Sequence, residues 1–343
     1  MKEAASPESG THYWLKDLKE NERVRGCYLV KEKRLGTTRR GEPFLNLILA
    51  DRSGEIEAKV WDNAEELSNS FSEGEVLQVE GSTGSYRGKI QLTLTRAANC
   101  EEGFDPALLL ESSPLPAGEM LKSLREILHK IRNPHLKSLA DRFLADKDFV
   151  AELKQAPAAK NFHHGYLGGL LEHTLSVCRL AKTVASMYPS LNEDILVFGA
   201  FVHDIGKIHE LRSRPAIDYT DEGRLIGHVV LGVRMLEEKI STLKEFPADL
   251  ELKIKHLVLS HHGEYEFGSP KRPKFIEAFV LHLVDDLDAK INGLGRFIEQ
   301  DRQKGSWTEF NRLFTRYLLK GQPETVPPAD DKPVQPSQGT LFC

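Results

Sequence analysis

The chain has 343 residues, which suits two domains at the usual ~100–200 residues each. Hydrophobic residues make up 40% and charged residues 28%, a globular balance that excludes a collagen-like or wholly disordered protein. With 46 basic against 51 acidic side chains the net charge is −5, so nucleic-acid binding must use local basic patches. The longest apolar run, Ile195–Val202, is far short of the ~20 residues a membrane helix needs. The start, Met1–Pro7, has no apolar signal-peptide core. Cys27, Cys100, Cys178 and Cys343 form no Cys-x-x-Cys pair and read as reduced thiols of a cytoplasmic protein.

In chain order, five short runs rich in Val, Ile, Leu and aromatics come first: Val24–Val30, Phe44–Leu49, Ile56–Trp61, Val76–Gly81 and Ile90–Leu94. Turn signals such as Asp51-Arg52-Ser53-Gly54 and Tyr86-Arg87-Gly88-Lys89 separate them. One amphipathic stretch, Asn63–Phe71, follows the third run and predicts a short helix. That order predicts a five-stranded OB-fold barrel over residues 1–100, and Ile56–Asp62 resembles OB domains of the tRNA-anticodon-binding type. Residues 101–118, with Pro106, Pro114 and Pro116, predict a linker. From 119 to 320 the apolar residues recur at helical spacing, as in Leu167, Leu170, Leu171 and Leu175. Residues 321–343 are proline-rich and predict a disordered tail. The expected architecture is multidomain, β then α.

Histidine carries the functional signal. His173, His203-Asp204, His228, His261-His262 and Asp285 are spaced by about one helix plus a loop each, so separate helices of a bundle could aim them at one centre. His173, His203 and Asp285 each adjoin strongly apolar sequence, where an ionised group needs a strong partner. A single such histidine is ordinarily a satisfied core residue. Five positions, two of them doublets, predict a metal site. Imidazole and carboxylate without thiolate favour Mn, with Fe, Mg, Co or Zn as alternatives.

His173…His203-Asp204…Asp285, with His203-Asp204-Ile205-Gly206-Lys207, resembles the HD-domain superfamily of metal-dependent phosphohydrolases. The resemblance implies an all-α HD bundle and a two-metal site. His173, His203, Asp204 and Asp285 would hold one ion, and Asp204 would bridge to a second held by His228 and His261. His262 stays open as a substitute ligand, a residue behind the ligands or a substrate contact. Val284-Asp285-Asp286-Leu287-Asp288 fits the family pattern with a mild departure at Val284. Asp204 and Lys207 are the expected catalytic residues, Lys207 neutralising phosphate charge; the alternative is a solvated helix-end lysine.

The segment Asn161–Thr174, together with the OB-then-HD order, resembles the bacterial YhaM-type 3′→5′ exoribonucleases. That implies a metal-dependent 3′→5′ exonuclease on single-stranded RNA, with DNA also open. His164 and Tyr166 either touch the scissile nucleotide or only shape the turn before a helix. The expected strand-binding residues are Arg39, Arg40, Tyr86, Arg87 and Lys89, in loops where OB-folds grip single strands. Lys31, Lys33 and Arg34 lie nearby, and Tyr28 and Phe44 are further stacking candidates, whereas Trp61 reads as core. Gln338–Phe342 resembles peptides that dock on the bacterial sliding clamp. A homo-oligomer is compatible with the sequence. Two alternatives remain at this level: a nucleotide or cyclic-nucleotide phosphohydrolase with a regulatory OB domain, and a non-catalytic single-strand-binding adaptor.

Overall fold

The computed structural model describes residues 12–321 except 39, 87, 101–103, 161–162, 214–215, 302 and 304. Five strands form a closed barrel in the order β1-β2-β3-β5-β4: β1 (Arg23–Thr37), β2 (Pro43–Asp51), β3 (Gly54–Val60), β4 (Val76–Tyr86) and β5 (Lys89–Asn99). The helix α1 (Ala64–Ser70) joins β3 to β4. The apolar residues alternate along each strand, so one face of the sheet fills the barrel. Leu45, Leu47 and Leu49 of β2 meet Ile56, Ala58 and Val60 of β3 there. The β2–β3 turn is fixed by Asp51, whose buried carboxylate accepts from Ser53 N at 2.7 Å and Gly54 N at 3.1 Å. Closure needs a sharp bend at Gly81, where the β4–β5 register shifts. A Cβ there would lie 2.3 Å from the Thr93 carbonyl, so only glycine fits.

The strands run longer than the apolar stretches predicted, because the barrel pairs their polar ends as well. Residues predicted as a linker are partly built in. α2 (Pro106–Leu109) follows the barrel, and Leu109 and Leu110 pack on Leu29, Ala50 and Val76. Leu167 N donates to Glu111 O at 2.9 Å and Ser113 N to Leu167 O at 2.8 Å, tying this connector to the turn ahead of the helix that carries His173.

The helices then follow: α3 (Ala117–Leu128), α4 (Pro134–Ala145), α5 (Lys147–Leu153), α6 (Gly169–Met187), α7 (Glu193–Val202), α8 (Lys207–Glu210), α9 (Asp221–Leu225), α10 (His228–Ser241), α11 (Ala248–Ser260) and α12 (Ile276–Gln300). Short strands β6 (Leu211–Arg212) and β7 (Asp218–Tyr219) pair between α8 and α9. Local rules set the helix starts. Asn133 caps α4 by accepting from His135 N and Leu136 N, with Pro134 at the first helical position, and Asn192 caps α7 through Ile195 N. The longest apolar run, Ile195–Val202, lies in α7, which is buried from Leu196 to Val202, as a helix that is hydrophobic all round should be. Its Phe198 and Phe201 sit in one core with Phe143, Leu171 and Leu257. Among the described residues none after Gln300 is helical, which corrects the helical expectation up to residue 320. Instead Trp307 pairs with Leu319 and Asn311 with Arg316. The chain divides into two compact units, Met1–Gly293 and Leu294–Cys343. Among the described residues no helix is long and apolar enough to cross a membrane.

Candidate metal centre and strand-binding face

Each sequence-predicted ligand comes from a different helix or helix end, except the adjacent pairs. His173 lies in α6, His203 and Asp204 at the C-terminal end of α7, His228 at the start of α10, His261 and His262 just after α11, and Asp285 in α12. Their side chains meet. His173 Nε2 is 3.1 Å from Asp285 Oδ1, 3.2 Å from His203 Nε2 and 3.5 Å from Asp204 Oδ2. His203 Nε2 is 3.3 Å from the same Asp204 oxygen. The other Asp204 oxygen, Oδ1, is 3.4 Å from His261 Nε2 and 3.6 Å from His228 Nε2. His262 Nε2 is 3.3 Å from His228 Nε2. Thus Asp204 offers one oxygen to each of two neighbouring groups, and His262, left open by the sequence, stands beside His228 and His261 in the second.

The donor set fits divalent cations. Within each of the groups His173-His203-Asp204 and His228-His261-His262, the donor atoms lie within 4.8 Å of one another. Asp204 Oδ1 and His261 Nε2 are buried without a hydrogen-bond partner, a costly state that a bound cation relieves.

Every imidazole is held by its far nitrogen. Nδ1 of His203 donates to Ala200 O at 2.9 Å, of His261 to Val258 O at 2.7 Å and of His262 to Phe267 O at 3.0 Å. The His173 Nδ1 reaches Asp288 at 2.7 Å and the His228 Nδ1 reaches Glu210 at 2.9 Å. These bonds fix ring orientation and turn each Nε2 to the centre. Glu210 was missed in the sequence, and Asp288 was noted only as a neighbour. Their signal was helical spacing, three residues after Lys207 and Asp285 respectively. His164 and Tyr166 are buried. His164 Nε2 lies 3.1 Å from Asp288 and its Nδ1 3.0 Å from the Tyr166 hydroxyl. Both therefore stand behind His173 rather than in solvent.

The charges oppose burial. Burial alone would raise the Asp204 and Asp285 carboxyls, but Lys207 and His203 hold Asp204 well below the usual range, and His203 and His173 do the same for Asp285. Burial would push His203 down; Asp204 and Asp285 outweigh it and lift the pKa to about 10. Burial, with His261 and His228 beside it, lowers His262 to about 3. Lys207 is buried, not the solvated helix-end lysine considered above, and its Nζ sits 2.7 Å from Asp204.

On the barrel, the expected strand grip is partly revised. Tyr28 is fully buried, with its hydroxyl on Tyr13 O, and is no platform. Trp61 is 48% exposed rather than core, while Tyr86, an expected strand-binding residue, is 54% exposed. Lys59 Nζ lies 5.8 Å from the Phe44 and Trp61 rings and 5.3 Å from Tyr86. This places three aromatics around one cation. Lys33 donates to Ser68 O and Phe71 O, while Lys31 pairs with Glu55 and Arg34 with Glu32, so these charges are engaged. Arg40 and Lys89 are exposed. Arg39, Arg87 and the Gln338–Phe342 motif lie outside the described residues.

The HD domain family matches residues 170–290, and the family described as an OB-fold nucleic acid binding domain matches 28–98. The protein named 3'-5' exoribonuclease YhaM from Bacillus subtilis (strain 168) is 38% identical over 292 residues, covering 84% of this chain and 91% of that protein. The chain belongs to the YhaM family. Another YhaM protein, from Oceanobacillus iheyensis, is 40% identical over 293 residues, covering 84% of this chain and 90% of its own. Both matched domains thus fall within a chain that is YhaM-like along most of its length. Among solved structures, the second OB-fold domain of replication protein A from Methanococcus maripaludis aligns over its whole chain and 28% of this one, at 16% identity and a TM-score of 0.23, too low to bear on fold or function.

Proposed function

We propose that this protein is a metal-dependent 3′→5′ exonuclease that hydrolyses the phosphodiester bonds of single-stranded RNA. The observation that carries the reading is Asp204, buried between two histidine groups with an oxygen turned to each. His173, His203, Asp204 and Asp285 would hold one ion, and Asp204, His228, His261 and His262 the other. Two such ions, when bound, bring the pKa of a water towards ~7 and polarise the phosphodiester. Mn²⁺ is the ion to supply first, because the set is imidazole and carboxylate without thiolate.

The remaining roles belong to the chain. Asp288 and Glu210 keep His173 and His228 aimed, and His164, itself bonded to the Tyr166 hydroxyl, braces Asp288. Lys207, charged beside Asp204, offers a cation to a substrate phosphate. Phe44, Trp61 and Tyr86 give the barrel stacking surface for unpaired bases, with Arg40 and Lys89 for phosphates. The relatives' names, the family match and the OB-fold support RNA as substrate. We read the barrel (1–100) as the grip, 101–118 as the connector and 119–320 as the catalytic part, in a cytoplasmic enzyme by its cysteine usage; the tail expected over 321–343 lies, from residue 322 on, outside the described residues. The test is 5′-labelled RNA with Mn²⁺. The wild type should shorten it from the 3′ end, a 3′ block should stop the reaction, and Asp204→Ala should lose activity at least a thousandfold together with its bound metal. Intact RNA with wild type would defeat the proposal.

A further inference from the structure

The imidazoles around Asp204 are not equally deep. His173, His203 and His261 are buried, whereas His228 and His262 are only half-buried. Solvent therefore reaches the centre past those two rings, as it also does past Asp285, which is half-buried too. Two segments flank this mouth. Exposed Leu225 and Ile226 come just ahead of His228, and the turn 263–274 comes just after His262.

That turn is firmly held. Gly263 N donates to Ser260 O at 2.9 Å and Ser269 N to Glu264 O at 3.2 Å. The Ser269 hydroxyl lies 2.7 Å from Lys271 O, and Phe267 O receives the His262 Nδ1 hydrogen. Gly263 and Gly268 take φ values of 82° and 83°, which favour glycine. Yet this fixed backbone leaves Tyr265 59% and Phe267 67% exposed. Burial of such rings is ordinarily favourable, so adjacent exposed aromatics on a rigid turn suggest a binding role. Lys271, Arg272 and Lys274 follow at once and are exposed. The Arg272 guanidinium stands 6.0 Å from the Tyr265 ring and pairs with Glu264 at 2.8 Å. Arg272 is thereby engaged, and two exposed rings with the exposed Lys271 and Lys274 in the same turn match the alternation of bases and phosphates in a single strand.

We propose that Tyr265 and Phe267, with Lys271 and Lys274, form a subsite at the mouth of the metal centre that stacks the terminal bases of a single-stranded nucleic acid and holds the adjoining phosphates. This rests on the exonuclease reading. The test compares wild type with Tyr265→Ala/Phe267→Ala. One measurement is equilibrium binding of a fluorescent RNA oligomer to chelator-treated protein, where nothing is cleaved. The other is the ratio of kcat/KM on that RNA to kcat/KM on bis(p-nitrophenyl) phosphate with Mn²⁺. Removing two stacking rings should weaken RNA binding about tenfold or more and lower the ratio at least tenfold. The exchange Tyr265→Phe/Phe267→Tyr should restore both. Should the double variant lose its fold, the two single alanine variants carry the same comparison. Wild-type RNA affinity in the alanine variants, or an unchanged ratio, overturns the subsite. Wild-type protein that leaves RNA intact defeats the exonuclease reading itself, a result seen without any variant.

Discussion

At the scale of single residues, the centre depends on groups that orient as much as on groups that would bind. Asp288 holds His173 through Nδ1 at 2.7 Å. Asp288→Asn keeps the shape but weakens that hold, so metal affinity should fall about 10–100-fold, read by competition with a fluorescent chelator. The metal-free protein should also show a defined pH response. The folded pKa of His203, about 10, lies above its unfolded value of ~6.5. Its charged pairing with Asp204 and Asp285 therefore adds stability that is fully present below about pH 6.5 and is lost as pH rises towards 10. In chelator-treated samples the melting-temperature gap between wild type and His203→Gln should shrink across that window. The sequence alone made the ligand residue types legible, because buried His and Asp on apolar faces demand partners. Which nitrogen faces inward was not legible, since that depends on carbonyls such as Ala200 and Val258 reached only in the folded chain.

Among elements, the approach of α10 to the turn after α7 decides whether two groups form at all. Gly206 lies in that turn, and a Cβ there would stand 2.0 Å from His228 O and 2.6 Å from Gly232 N. This close approach brings the start of α10, and with it His228, up to Asp204. Gly206→Ala must push the elements apart. It should cost about 1–3 kcal/mol in urea unfolding and lower the second metal equivalent bound more than the first, read by metal analysis after gel filtration. The barrel strands and α1 were legible because period-two patterning and turn residues agreed. The end of the helical part was misplaced. The apolar residues after Gln300 are spaced loosely enough to read as helix, whereas they pair as bridges such as Trp307 with Leu319.

Across the whole molecule, a barrel and a helical bundle are joined by a connector that packs on both. Leu109 and Leu110 cover Leu29, Ala50 and Val76, so deleting the barrel would bare apolar surface. A point change is the better probe of its role. Trp61→Ala removes one exposed ring beside Lys59. A stacked base is worth about 1–3 kcal/mol, so RNA binding to chelator-treated protein should weaken roughly 5–150-fold. An unchanged affinity would remove Trp61 from the strand path. A single aromatic in a β run is more often core than platform, which is why Trp61 reads as core; alternation along β3 buries Ile56, Ala58 and Val60 and turns Trp61, the next residue, outward, its ring 5.3 Å from that of Phe44. By itself the sequence determined the order of a β domain and a helical one and the set of imidazoles and carboxylates able to bind cations, because periodicity and residue chemistry are local properties. Only the tertiary structure decided that Asp204 turns one oxygen to each histidine group, that His262 joins His228, and that these two rings lie nearer the surface than the other imidazoles. Those facts depend on distances between helices far apart in the chain, which packing sets and residue spacing does not.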